Sequence, residues 1–179
     1  MIEPWVPTLQ GQRSTLRALV PGDAPAIARH ANDAGVIHNL YDGFPYPYTM
    51  AHAEAWCSTG HREPQFGHVW AVTVDGQAIG CVGLMPKQGI HACNAEVGYW
   101  IGREHWGRGI AAEALRIVTA WTWITLPVVQ RVVAPIFARN TSSQAVATKA
   151  GYVLEACQPR SLLKGGEAID VTLYAAYRP

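Results

Sequence analysis

Chemistry is concentrated in the run Gly102-Arg103-Glu104-His105-Trp106-Gly107-Arg108-Gly109-Ile110-Ala111-Ala112-Glu113-Ala114. Apolar residues alternate before it and recur with helical period after it, so a strand passes into a helix through a glycine-x-glycine step. Glycines let the backbone turn tightly, and the unpaired amides of a first helical turn carry the positive end of the helix dipole. Such a start can hold a phosphate group. Many strand-to-helix turns need glycine for steric reasons alone, and the step by itself leaves both readings open. A Walker A loop is excluded, because no Lys-Ser or Lys-Thr follows the second glycine. The β-hairpin signal upstream does not suit a dinucleotide-binding βαβ unit either.

Other reactive side chains are less organised. Cys57, Cys81, Cys93 and Cys157 form no C-x-x-C pair, and buried, reduced thiols are expected. His30, His38, His52, His61, His68, His91 and His105 never take an i, i+4 spacing around a glutamate, so no metal is expected.

The elements that position the glycine step can be read on either side of it. Arg13 to Leu19 alternates as a strand; Pro21-Gly22-Asp23 ends it, with Asp23 as N-cap of a helix from Ala24 to Asn32. A second helix follows Thr49. Between the two, Tyr41 to Tyr48 is a loop of aromatics and prolines that either floors an acceptor pocket or covers the core. Val69–Val74 and Ala78–Leu84 form a hairpin across Asp75-Gly76, and Ala95 to Ile101 adds a strand. The helix from Gly109 to about Thr125 turns Ile110, Ala114, Ile117, Val118 and Trp121 to one face, and Pro127 closes it. Then come a strand Val128 to Phe137, a helix from about Ser142 to Ala150 ended by Gly151, and strands Tyr152 to Cys157 and Ala168 to Tyr177.

Two blocks carry a resemblance. Ala95-Glu96-Val97-Gly98-Tyr99-Trp100-Ile101 with Trp106 to Ala114 resembles the acetyl-CoA motif of the GNAT N-acetyltransferases, in their RimJ/RimL-like branch. Asn140-Thr141-Ser142-Ser143, Lys149-Ala150-Gly151-Tyr152 and Glu155 are similar to that branch's next helix and its end, and Asp170 to Tyr174 to its final strand. The resemblance covers nearly all of residues 1–179, taken as a single domain. It implies an α+β fold whose mostly antiparallel central sheet splays in a V between its fourth and fifth strands, Ala95–Ile101 and Val128–Phe137, with helices on both faces. It also implies acetyl-CoA wedged in that V as co-substrate. Backbone groups of Tyr99, Trp100 and Ile101 would pair with the pantetheine arm, and amides from Trp106, Gly107, Arg108, Gly109, Ile110 and Ala111 would hold the pyrophosphate, with Arg103 and Arg108 adding charge. Asn140 and Ser143 match positions touching the pantetheine near the sulfur, and either Asn140 or Ser142 can equally cap the helix behind them. One departure stands out: the family prefers Gln or Arg three residues before the first glycine, where this chain has Glu104.

Acetyl transfer to an amine needs a neutral nucleophile, and amines with pKa values of about 8 to 10 gain from a base. Glu96 is the first candidate, followed by Glu155 and His105. A backbone amide near Val97 to Tyr99 would meet the oxyanion, and Ser143, or more remotely Tyr174, could protonate the leaving thiol. No cysteine falls in the motif blocks, which favours direct attack in a ternary complex over an acyl-enzyme. The expected acceptor is a primary amine, either a peptide N-terminus or a small molecule. The competing reading is a catalytically silent acyl-CoA-binding or sensing module with the same fold.

Composition narrows the partners. Lys and Arg number 14 against 13 Asp and Glu, a net charge of +1 that builds no field for nucleic acid or an anionic membrane. No apolar run approaches the roughly 20 residues of a membrane span, and Met1-Ile2-Glu3-Pro4 lacks a signal peptide's character, so a cytoplasmic protein is expected. The seven tryptophans suit a core or a subunit contact, leaving a homodimer open.

Overall fold

A computed structural model describes residues 6–179. The strands are β1 (Leu9–Gln10), β2 (Thr15–Arg17), β3 (His68–Val74), β4 (Gln77–Pro86), β5 (Asn94–Ile101), β6 (Arg131–Phe137), β7 (Val153–Lys164) and β8 (Glu167–Tyr177). The α-helices are α1 (Ala24–Ala31), α2 (Ala34–Ile37), α3 (Met50–Ser58), α4 (Ile110–Thr125) and α5 (Thr141–Lys149). The strands form one sheet in the order β1-β2-β3-β4-β5-β6-β8-β7, in which β5 and β6 make the parallel pair and every other neighbour is antiparallel.

The parallel pair is short. Asn94, Ala95 and Glu96 lie opposite Arg131, Val132 and Val133, after which the two strands part. Beyond that point β5 stays paired with β4 as far as Ile101, and β6 stays paired with β8 as far as Phe137. The sheet therefore opens into a V between the two strands expected to flank it. In chain order they are the fifth and sixth, because Leu9–Gln10 forms a short strand of its own.

Cross-strand register divides β5 between the two faces of the sheet. Val97 lies opposite Leu84 and Tyr99 opposite Val82, and these pack with Ile110, Leu115 and Val118 of α4 in the larger core. Glu96, Gly98 and Trp100, opposite Met85, Gly83 and Cys81, turn to the other face. There a second core joins Ile27 and Ala31 of α1, Ala53 and Cys57 of α3, and Tyr48, with Trp100 packed against it.

Several local expectations are corrected. Asp23 does not cap α1 with its side chain; its carboxylate instead takes both arms of Arg17 at 2.7 Å and the Val20 amide at 2.9 Å, a charge-assisted alternative to capping. The first strand shrinks to Thr15–Arg17, and β6 begins at Arg131. The strand ending at Cys157 runs on to Lys164, across Pro159 and a bulge where Arg160 donates its amide to Asp170 at 2.8 Å. β7 is an edge strand, where proline is tolerated, and Gly165 and Gly166, both at positive φ, close its hairpin with β8. Cys57 and Cys81 are buried, whereas Cys93 and Cys157 are exposed rather than buried as expected. No helix among the described residues is long and apolar enough to cross a membrane.

Candidate active site

Beyond Glu96 the β6-facing edge of β5 has no strand partner among the described residues, so its backbone groups need another one. The glycine step follows directly. Gly102 donates its amide to Ile79 at 2.7 Å, a 3-10 turn spans Arg103–His105, and the Trp106 indole returns to the Ile101 carbonyl at 2.6 Å. Gly107 and Gly109 both sit at φ 76°, a left-handed conformation costly to residues with a Cβ. Gly109 is the N-cap of α4, no side chain among the described residues caps its first turn, and Trp106 to Gly109 is exposed.

A feature invisible to local patterning steadies this helix start. Glu113, on the first turn of α4, is buried with its carboxylate turned to the β1–β2 loop. It accepts the Gln12 amide at 3.0 Å, the Arg13 amide at 3.0 and 3.2 Å, and the Ser14 hydroxyl at 2.9 Å. Burial pushes this carboxyl up, but the Arg13 and Gln12 amides, the Ser14 hydroxyl and the Arg13 charge together hold it below the usual range. The clasp places the Arg13 guanidinium over the step, with Nε 3.7 Å from the position a Cβ would take on Gly109. Arg13 is thus a cation at this loop that motif reading misses.

Asn140 and Ser143 stand across the opening. Asn140 caps α5, its Oδ1 accepting the Ser143 amide at 3.1 Å, so the capping role is realised. The Tyr99 hydroxyl reaches from β5 to Ser143, 2.8 Å from its Oγ and 3.2 Å from its carbonyl oxygen. Burial pushes the Tyr99 phenol up to about 12 despite the Ser143 bond, so it stays protonated near neutrality.

The other expected residues scatter. Glu96 lies on the opposite face at the apex of the V, paired with Lys87 Nζ at 2.7 Å. Beyond it the facing glycines Gly83 and Gly98 leave the sheet bare, with nothing within 4 Å of a Cβ placed on Gly98. Phe44 stacks on Tyr48 at 4.9 Å and meets Trp100 edge-on at 6.0 Å, while Tyr41 and Tyr46 point outward. The aromatic loop therefore both covers the core and borders this bare floor. Asp42 fastens it to the β7–β8 turn, 2.9 Å from Lys164 Nζ and 2.8 Å from the Gly165 amide.

Glu155 is tied to Arg131, whose Nε lies 3.0 Å away, and accepts the Tyr177 hydroxyl at 2.6 Å; the Arg131 bond leads in pulling its carboxyl below the usual range. A carboxylate so held is a poor base. His105 packs edge-on against His30 at 5.3 Å, and Tyr174 lies in the larger core. Arg103 leans towards Asp33 at 4.0 Å, and Arg108 is exposed.

Comparison with known proteins agrees with this geometry. Residues 13–153 match the acetyltransferase (GNAT) domain family. Over 178 residues the chain is 26% identical to the uncharacterized N-acetyltransferase YoaA of Bacillus subtilis, covering 97% of this chain and 98% of that one. A GNAT-family acetyltransferase from Bacillus anthracis superposes with a TM-score of 0.83 at 19% identity, covering 96% of this chain and 99% of that one. Mycobacterium smegmatis RimJ, solved in complex with CoA-disulfide, gives 0.82 at 24% identity over 99% of this chain and 90% of its own. The V-shaped opening, the uncapped helix beside it and a family match over most of the sequence lead to one conclusion: the chain belongs to the GNAT acetyltransferases.

Proposed function

We propose that this acetyltransferase binds acetyl-CoA in the V and transfers the acetyl group directly to a primary amine. The observation that carries the reading is the opening of the sheet after Glu96 and Val133, beside a helix whose first amides have no side-chain cap. In this reading the amides from Trp106 to Ala111 hold the pyrophosphate, with Arg108 and Arg13 as nearby cations. The unpaired edge formed by Tyr99, Trp100 and Ile101 holds the pantetheine amides as a partner strand would. Asn140 keeps Ser143 in place, and Arg103 borders the loop.

The acceptor approaches over the floor of Gly83 and Gly98, bordered by the aromatic loop that Asp42 fastens to the β7–β8 turn. Its ammonium gives a proton to Glu96, whose carboxylate Lys87 holds at the apex. The neutral nitrogen attacks the thioester carbon, the C–N bond forms, and a backbone amide near Val97 meets the oxyanion. The C–S bond then breaks and the thiolate takes a proton from the Ser143–Tyr99 hydroxyl pair, which regains one from solvent; the amide nitrogen's second proton leaves to water, and Glu96 passes the first to solvent to close the cycle. Glu155 and His105 have no part in these steps. The acceptor is a peptide N-terminus or a small amine.

Calorimetric titration with acetyl-CoA tests the site, with the Gly107→Glu, Gly109→Glu double variant as control. Binding by the wild type and none by the folded control is expected; no binding by the wild type refutes the reading. The Lys87–Glu96 pair is the observation that favours a silent acyl-CoA-binding module, since it occupies the only carboxylate assigned as base. Release of CoA thiol in the presence of amine acceptors decides between the two.

A further inference from the structure

Glu104 precedes the first glycine of the step by three residues, and an anion there opposes a pyrophosphate. Its carboxylate is already engaged from α1. Arg29 Nη2 donates to Glu104 Oε1 at 3.0 Å, and the same oxygen lies 3.3 Å from His30 Nδ1 and 3.8 Å from His105 Nε2. Arg29 Nη2 is also 3.1 Å from His30 Nε2. A guanidinium only donates, so Nε2 is the bare acceptor and the imidazole proton sits on Nδ1. Burial, then the Arg29 charge, lowers the His30 pKa against the opposing pull of Glu104, which keeps the ring neutral in this role. The ring has its place because residue 102 is glycine, where a Cβ would fall 2.3 Å from Nδ1.

The donor atoms of His30, Glu104 and His105 lie within 4.8 Å of one another, as a metal site would require. Arg29 contacts two of those three side chains and already supplies the positive charge. An adjoining depression of about 450 Å³ is lined by Arg29, His30, Asp33, Arg103 and Glu104, and Arg103 is partly balanced there by Asp33.

We propose that Arg29 is a positioning residue for the acetyl-CoA loop: from α1 it neutralises Glu104 and holds it off the pyrophosphate, with the neutral His30 ring packed against both. This rests on the acetyl-CoA reading above. Arg29 and Glu104 are both more than half exposed, so their coupling is screened and modest. Arg29→Met should weaken acetyl-CoA binding about three- to fivefold by calorimetry, and less so at high salt. Arg29→Lys should stay within about twofold of wild type. Glu104→Gln added to Arg29→Met should restore binding, because the anion that needed Arg29 is gone; a merely structural role for Arg29 gives no such rescue. S-acetylpantetheine, which lacks the pyrophosphate, should bind Arg29→Met and wild type alike.

Wild-type affinity in Arg29→Met, a double variant as weak as the single one, or a stoichiometric divalent ion in the purified wild type that Glu104→Gln loses would each overturn the proposal. If the wild type itself fails to bind acetyl-CoA, the acetyl-CoA reading falls first and this one with it. If the wild type binds and Arg29→Met binds equally well, only the role of Arg29 falls.

Discussion

Glu113→Ala should be among the most costly single truncations at the helix start, and its magnitude can be built from its contacts. The carboxylate receives the amides of Gln12 and Arg13 and the hydroxyl of Ser14, all within 3.2 Å. Gln12 and Arg13 are exposed, so their amides regain water when the carboxylate goes, and each lost bond costs little. Ser14 is buried, and leaving its hydroxyl without a partner costs about 1 to 3 kcal/mol. The three lost charge-assisted bonds and the small void bring the total to about 3 kcal/mol. Glu113→Gln keeps the shape but presents two N–H donors to a ring of donors, so it should cost about 2 kcal/mol. Urea unfolding followed by circular dichroism measures both. A loss below about 1 kcal/mol for Glu113→Ala would refute the claim that this carboxylate pins the β1–β2 loop to α4.

Three further outcomes follow from the geometry. Gly109→Ala meets no atom closer than Arg13 Nε at 3.7 Å and pays only for its left-handed φ, about 1 kcal/mol, whereas Gly102→Ala drives a Cβ into His30 and should cost several times more; thermal melts of the two variants compare them directly. Under the proposed mechanism, Tyr99→Phe and Ser143→Ala should each lower kcat about tenfold while acetyl-CoA affinity stays within twofold, and steady-state kinetics beside calorimetry would expose an equal loss in both as a structural effect. Burial is the largest cause lowering the pKa of His30, His61, His68 and His105 below the usual value of about 6.5. The unfolded chain therefore binds more protons below that value, and the stability these neutral rings contribute is present above about pH 6.5 and lost as pH falls through their folded values. The melting temperature should drop between pH 7 and pH 5, and a flat profile in scanning calorimetry would contradict the burial of these rings.

What could be read from the sequence was what sits in consecutive residues. The Asp75-Gly76 hairpin, the helical period from Ile110, the Pro127 stop and the Gly151 terminus are each set by neighbours a few positions away, and each stands where expected. The long β7 was missed because Pro159 breaks the alternation, and only an edge position with a bulge lets the strand continue. For the site, the glycine step and the Asn140-x-x-Ser143 helix start were legible because backbone conformation demands those residue types. Their partners were not. Nothing near Tyr99 announces that its hydroxyl meets Ser143 from 44 positions away.

The two glutamates of the glycine region show why sequence distance is the obstacle. Read locally, Glu113 looks like an acid favoured in a first helical turn and Glu104 like a misplaced anion beside a phosphate site. Their surroundings reverse both descriptions. Glu113 draws its donors from about 100 residues upstream, and Glu104 draws its counter-ion from 75 residues upstream. A carboxylate's effect on a neighbouring anion depends on whether a cation or a set of amides already holds it, and here both sets arrive from the N-terminal segment that packs around the loop. The glycine step supplies a conformation, while Arg13 and Arg29 bring further charge to it from the N-terminal segment. Under the proposed acetyl-CoA binding, substitutions of these two arginines should therefore alter cofactor affinity although neither lies in the motif.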